Sequence, residues 1–424
     1  MDELPPEVSL LIFQVVPKSD LKSLRLVSKK INMLATKFLF TRVYASLHHE
    51  DLDVLHAIAR HPTLSTLVKE IVYSGVYFHM YEIGPEDEFL QHKDDPGRQY
   101  YLAHVEQQEE MLKQRHHDEV IIFIALSLMP NIRRVTLTNH WCPTRDLLGT
   151  GYSIPGYAKP PRDVKVGGPL SRAYPPSAKE PSGLPLQRGL RKHCRMNIDY
   201  GFRVMYRAMN LARPSIQELS VDYYDDPCRS DRLLTRGISP RSLLFSPLDL
   251  KNCCTAFSQL RKIAFSLCPA STDDEWDILM EGNLAAVLAA ATELEELTFD
   301  FTCSSNDVPL EKCLGTHVWP QLRSIRLLHK EMSSDELVAL LKRHCKTLKV
   351  LCLDSCHLYD GTWASAAEEM CQWLALESAT FHYLIERDGL YRQMILCDQL
   401  EKYVLSREWH SIYDENYRPQ TPTT

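Results

Sequence analysis

Cysteines and histidines crowd one stretch near the C-terminal end: His344-Cys345, Cys352, Cys356 and His357. Such a set invites a zinc site, which needs four convergent ligands, usually supplied at Cys-x-x-Cys-like spacing. That spacing is missing here. If Leu351 and Leu353 lie on a strand facing inward, Cys352 points out while Cys356 turns in, so the thiols diverge. The pairs His48-His49 and His116-His117 have no partner acids at ligand spacing. Gly149-x-Gly151 with Gly156 fits neither the dinucleotide fingerprint nor the phosphate loop, because no strand-to-helix setting surrounds it. The run Gly151-Tyr152-Ser153-Ile154-Pro155-Gly156 is one residue too long for a nucleophile elbow, and Pro155 would spoil the following helix. The expectation is a non-enzymatic protein with no catalytic, cofactor-binding or metal-binding residues.

Composition points the same way. The 424 residues are 44% hydrophobic and 24% charged, enough to bury a sizeable core. Lys plus Arg number 48 against 55 Asp plus Glu, a formal charge of −7, which disfavours a polycation that coats nucleic acid. The opening Met1-Asp2-Glu3-Leu4-Pro5-Pro6-Glu7 has acids and prolines where a signal peptide needs a basic and then an apolar stretch. The longest apolar run, Val120 to Met129, is about half the length a bilayer needs, so no membrane association is expected. Thirteen cysteines without regular spacing read as reduced thiols of the cytosol or nucleus.

The first 47 residues read as three short helices. Prolines at Leu4-Pro5-Pro6-Glu7 suit a helix start, and Val8, Leu11, Ile12 and Val15 follow at helical spacing. Pro17 stops that helix. Ser19 or Asp20 can cap a second, carrying Leu21, Leu24 and Val27, and Ser28 can cap a third, carrying Ile31, Leu34, Ala35 and Phe38. Helices this short cannot enclose a large core, so one face must meet another surface.

Beyond Pro62 a different unit recurs, a helix followed by a short strand with apolar residues at relative positions 0, 3 and 5. It occurs at Val68/Ile71/Tyr73, Ile132/Val135/Leu137, Ile216/Leu219/Val221 and Leu260/Ile263/Phe265. It returns at Leu294/Leu297/Phe299, Leu322/Ile325/Leu327 and Leu348/Leu351/Leu353. Amphipathic helices precede several strands, at Glu119–Leu128, Leu284–Ala291 and Asp335–His344. The last unit extends through Cys356 and Leu358 to complete a leucine-rich-repeat motif. Two insertions interrupt the series. One, 77–117, is polar, with a helix expected from Gln99 to Arg115. The other, 141–192, holds 9 of the 25 prolines and nine Lys/Arg against three Asp/Glu, and reads as a mobile basic loop.

Residues 4–44 resemble the F-box, the module that docks on the Skp adaptor of cullin-RING ubiquitin ligases. The likeness rests on Leu4-Pro5-Pro6-Glu7-Val8, Leu11-Ile12-Phe13, Val16-Pro17-Lys18-Ser19-Asp20-Leu21, Leu24-Arg25-Leu26-Val27-Ser28-Lys29-Lys30 and Leu39-Phe40. One departure is Ile31, where the family frequently carries an aromatic. The remainder is similar to fungal F-box proteins with a degenerate leucine-rich-repeat array, through Gln107-Gln108-Glu109-Glu110, Met129-Pro130-Asn131-Ile132-Arg133 and Gly361-Thr362-Trp363. The expected fold is therefore α/β, an N-terminal three-helix F-box followed by an irregular leucine-rich-repeat-like α/β solenoid. The expected division is F-box 1–47, repeat array 48–396, and C-terminal helix with disordered tail 397–424.

The resemblance implies a substrate adaptor that binds a Skp-family subunit and, through it, cullin and RING subunits. Docking is expected through Leu4, Pro5, Val8, Leu11, Ile12, Leu21 and Leu24. Two alternatives are a Skp-binding scaffold outside a ligase and nucleic-acid binding through the basic insertion. For the protein target, side chains alternate along a strand, so positions 2, 4 and 6 of each unit should point outward. Stacking would then align Asp222, Asp300 and Asp354 along one rim, with Arg326 on the same face, favouring a basic target.

Overall fold

The computed structural model describes residues 4–16, 18–47, 49–74, 106, 109–110, 117–138, 200–212, 216–221, 237–267, 274–301, 308–388, 391–408 and 411–413. The basic insertion, the tail from 416 and almost all of the 77–117 insertion with its expected helix lie outside these residues. The chain divides into two compact units, 1–216 and 217–424. The expected boundary at residue 47 falls inside the first.

The first unit opens with α1 (Pro6–Val15), α2 (Lys18–Leu24) and α3 (Lys29–Leu39). Proline at the start of α1 forfeits only an N–H that a helix leaves unbonded anyway. The second helix starts ahead of both Ser19 and Asp20. Ser28 caps the third as its sequence suggests, its Oγ accepting the Ile31 N–H at 3.2 Å. The three helices close on Phe13, Leu21, Ile31, Leu34 and Ala35, with Leu10, Val16, Leu24, Phe38 and Leu39 packed around them.

Three parallel strands follow in this unit: β1 (Arg42–Ser46), β2 (Glu70–Ser74) and β3 (Arg134–Thr138). Helices α4 (His49–Arg60) and α5 (His117–Leu128) pack together beside them, and α6 spans 200–212. The register sets Arg42, Glu70 and Arg134 side by side, so the half-exposed arginines flank a nearly buried carboxylate, and Thr136 donates to its other oxygen at 2.7 Å. Asp118 on α5 is buried and accepts hydroxyls from Tyr73 and Tyr200, both at 2.9 Å, tying β2, α5 and α6 together.

In the second unit six parallel strands run in register: β4 (Glu218–Val221), β5 (Lys262–Ser266), β6 (Glu296–Asp300), β7 (Ser324–Leu328), β9 (Val350–Asp354) and β11 (Ser378–His382). Between them stand α7 (Pro247–Phe257), α8 (Asp274–Met280), α9 (Asn283–Ala289), α10 (Leu310–Leu314), α11 (Ser334–Arg343) and α12 (Trp363–Trp373). The inward rows are apolar because every second strand residue faces the helices. Across both units all seven expected triplets are buried, none more than 4% exposed.

A smaller sheet is new relative to the sequence reading. β8 (Glu331–Ser333), β10 (His357–Asp360) and β12 (Ile385–Asp388) pair in parallel, and β13 (Tyr391–Met394) closes it antiparallel to β12. The chain reaches it through a left-handed residue after each long strand: His329 (φ 54), Ser355 (φ 54) and Tyr383 (φ 49). The next residue in each case turns fully inward, as Lys330, Cys356 and Leu384. The Gly361-Thr362-Trp363 stretch is a turn and cap. Gly361 takes φ 78, where any added Cβ would fall 2.5 Å from the Ser334 Cβ, and Thr362 accepts the Ser365 N–H to open α12. Trp363 is buried and donates its indole N–H to the Ile385 carbonyl. Helix α13 (Cys397–Ser406) packs against β11.

Candidate docking surface

Burial separates the residues of the first helices into an interior and an exterior. Phe13 and Leu21 are 1% exposed, while Val8, Leu11 and Val15 are 41%, 63% and 82% exposed on α1. Steps of three and four residues put these three on one helical stripe, and Leu4, half-buried, precedes Val8 by four. Pro5 is exposed and Ile12 half-buried at the stripe's border. A second apolar patch lies at the α2–α3 corner, where Leu26 is 88% exposed, Val27 64% and Met33 61%. Contiguous apolar exposure of this kind marks a contact surface more often than chance.

The surface is braced from inside the module. Lys30 on α3 reaches back and donates its ammonium to the Leu4 carbonyl at 3.3 Å. Arg25 donates to Asn32 Oδ1 at 3.0 Å and lies over the Phe40 ring, at 5.7 Å from its centroid. Thr36 donates to the same Asn32 oxygen at 3.2 Å. Ile31 is buried within the core cluster.

One expected docking residue is corrected. Leu21 belongs to the interior, since α2 is only two turns long and directs it against Phe13 and Ile31. A side chain 1% exposed cannot meet a partner without unfolding its own module. Leu24 is half-buried and packs on that same core. Val15, Leu26 and Met33 were absent from the expected docking set. Their signal was available, because the step from Leu11 to Val15 continues the stripe, and Leu26-Val27 places two apolar residues just before a capping serine, where polar residues are usual.

The outward row of the second unit also departs from expectation. Asp300 is 4% exposed, with Oδ1 2.9 Å from His329 Nδ1, and Leu328 at the equivalent place is 7% exposed. Asp300 and Leu328 both turn inward at the end of their strands, so position 6 does not form an open acidic rim. Asp354 is half-buried and accepts the Ser355 hydroxyl at 2.9 Å. Asp222 lies outside the described residues. Arg326 does sit on the middle outward row, in register between Thr298 and Cys352. Nearer the strand starts, Lys262 and Glu296 pair at 2.7 Å, and that bond raises the lysine's pKa.

The crowded thiols separate as well. Cys356 is buried with its Sγ–H toward the Leu327 carbonyl, while Cys352 lies half-buried on the outward face. Burial pushes the Cys356 thiol up to about 12, the signature of an inert core cysteine. His344 packs against Trp319 instead. Among the described residues no group of three or more His, Cys, Asp or Glu could hold a metal ion, and no helix is long and apolar enough to cross a membrane.

The N-terminal module is three helices around a buried five-residue core, with an apolar stripe left exposed. Residues 1–46 match the family model described as F-box-like. No curated protein matches the chain. The N-terminal module is thus F-box-like, in a mixed α/β chain whose parallel sheets fit a solenoid-like fold.

Proposed function

We propose that this protein is the substrate-recognition adaptor of a Skp–cullin–F-box ubiquitin ligase. The observation that carries this reading is the stripe of Leu4, Val8, Leu11 and Val15 on an F-box-like module whose own core is complete without it. Docking there would bury apolar area on a Skp-family subunit, and that subunit would bring cullin and RING partners. The second unit, a leucine-rich-repeat-like array, would hold a protein target on its outward strand face, around Arg326 and Asp354. Catalysis by this chain is not required. Holding the target beside the ligase raises its effective concentration at the ubiquitin donor.

Calorimetry of the full chain with a purified Skp-family adaptor tests this directly. Binding is expected for the natural sequence, and a Leu4→Asp/Pro5→Gly variant should lose it, since a charge would be forced into an apolar contact. The second unit should stay folded in that variant. Undiminished affinity, or no binding by the natural chain, would remove the assignment.

A further inference from the structure

We propose that Lys30 is a positioning residue for docking, which acts by fixing Leu4 at the head of the apolar stripe. The inference rests on the docking reading above and adds a residue that the exposed surface alone would not single out. Leu4 precedes α1, whose first backbone bond runs from the Ser9 N–H to the Pro5 carbonyl at 3.1 Å. The helix therefore holds Pro5 but leaves Leu4 one residue beyond its hydrogen-bonded frame. Proline at position 5 also has no N–H with which to tie the segment down. The Leu4 carbonyl instead accepts a hydrogen bond from the Lys30 ammonium, 26 positions later on α3.

Geometry explains why this bond matters for the stripe. α3 is the helix that packs on both partners: Ile31, next to Lys30, is 3% exposed in the core with Phe13 and Leu21. Lys30 is thus anchored at its base by a core residue, and its ammonium carries that rigidity back to residue 4. An ordered Leu4 loses less conformational entropy on docking than a frayed one, which is how preorganisation strengthens binding. A donor with charge forms a stronger bond to a carbonyl than a neutral one does.

The test is a thermodynamic cycle, with affinity for a purified Skp-family adaptor measured by calorimetry on the full chain. Lys30→Met should weaken binding roughly five- to tenfold, within the net range of one ordinary hydrogen bond, and Lys30→Arg should restore it to within about twofold. In a Leu4→Ala background, where the side chain being positioned is gone, Lys30→Met should change affinity less than about twofold. Lys30→Gln replaces Lys30→Met if the latter lowers the melting temperature. An unchanged affinity in Lys30→Met overturns the proposal. So does an equal drop in both backgrounds, or a drop that vanishes at high salt, because either means that the ammonium touches the adaptor directly. Absence of binding by the natural chain is a different result. It overturns the docking reading itself, and the role of Lys30 with it.

Discussion

Asp300 Oδ1 lies 2.9 Å from His329 Nδ1, a bond between the last residue of β6 and the residue that follows β7. It withdraws the carboxylate from the surface and holds the imidazole of a residue whose backbone is left-handed, at φ 54. Non-glycine residues reach that conformation at a cost of roughly 1 kcal/mol, so a side-chain partner there offsets a real penalty. Replacing Asp300 with Ala should lower the stability of the second unit by about 1–3 kcal/mol. Urea unfolding of the two chains measures it, and an unchanged midpoint would show that the bond contributes nothing.

The inward rows of the sheets were legible because two constraints coincide there. Alternation puts one face against helices, and a face so buried must be apolar, so Ile263, Leu297, Ile325 and Leu351 announce themselves in the sequence. β11 escaped because Ala379 stands where the other units carry a larger aliphatic residue. The smaller sheet escaped because its strands are three or four residues long and follow a residue, such as Ser355, whose left-handed turn leaves no mark in the pattern. The extrapolation to Asp300 failed for another reason: the His329 imidazole of the neighbouring unit draws its carboxylate in, a partner that alternation along one strand does not reveal. In the docking module the apolar spacing of Leu21 and Leu11 is equally helical. Only the packing of α2 against Phe13 tells inside from outside.

His317 and His344 both lie against Trp319, one edge-on with ring centres 4.1 Å apart and one stacked at 5.3 Å. Burial lowers both imidazoles to about 4, and the Arg343 charge adds to the effect. In the unfolded chain histidine titrates near 6.5, so as the pH falls below that value the unfolded state takes up protons first. The stability these neutral rings confer is complete above about pH 6.5 and drains away as the pH falls toward 4. His344→Phe keeps the stacked ring and removes one titrating site, so its denaturation midpoint should fall less between pH 7 and pH 5. Parallel slopes for the two chains would show that His344 takes no part in the acid response.

Asp118 gives the first unit a different kind of dependence. Its two oxygens accept the Tyr73 and Tyr200 hydroxyls separately, and burial pushes both phenols well above their ordinary pKa. Tyr200→Phe deletes one bond and should cost about 1 kcal/mol. Asp118→Ala strands two hydroxyls at once, one of them fully buried, and should cost about 2–4 kcal/mol. Equal losses in the two variants, read from denaturant unfolding, would mean that the carboxylate is not the hub of this contact.

The separation of interior from exterior in the docking module gives the sharpest contrast. Leu21→Ala removes a side chain 1% exposed and should destabilise the three helices by about 2–5 kcal/mol, because a cavity remains where Phe13 and Ile31 met it. Leu11→Ala removes one 63% exposed, and should leave the melting curve within about 0.5 kcal/mol of the natural chain. Affinity for a Skp-family adaptor should fall with Leu11→Ala and, if the corner patch shares the interface, with Leu26→Ala as well. Each truncation should cost about five- to thirtyfold, the loss of a well-packed aliphatic contact. Among the described residues, exposure at Leu26 exceeds that of any other large apolar residue of the module, so its truncation separates one docking patch from two. A Leu26→Ala chain that binds as tightly as the natural one would confine docking to the α1 stripe. A Leu11→Ala chain that does so would take the stripe itself out of the interface.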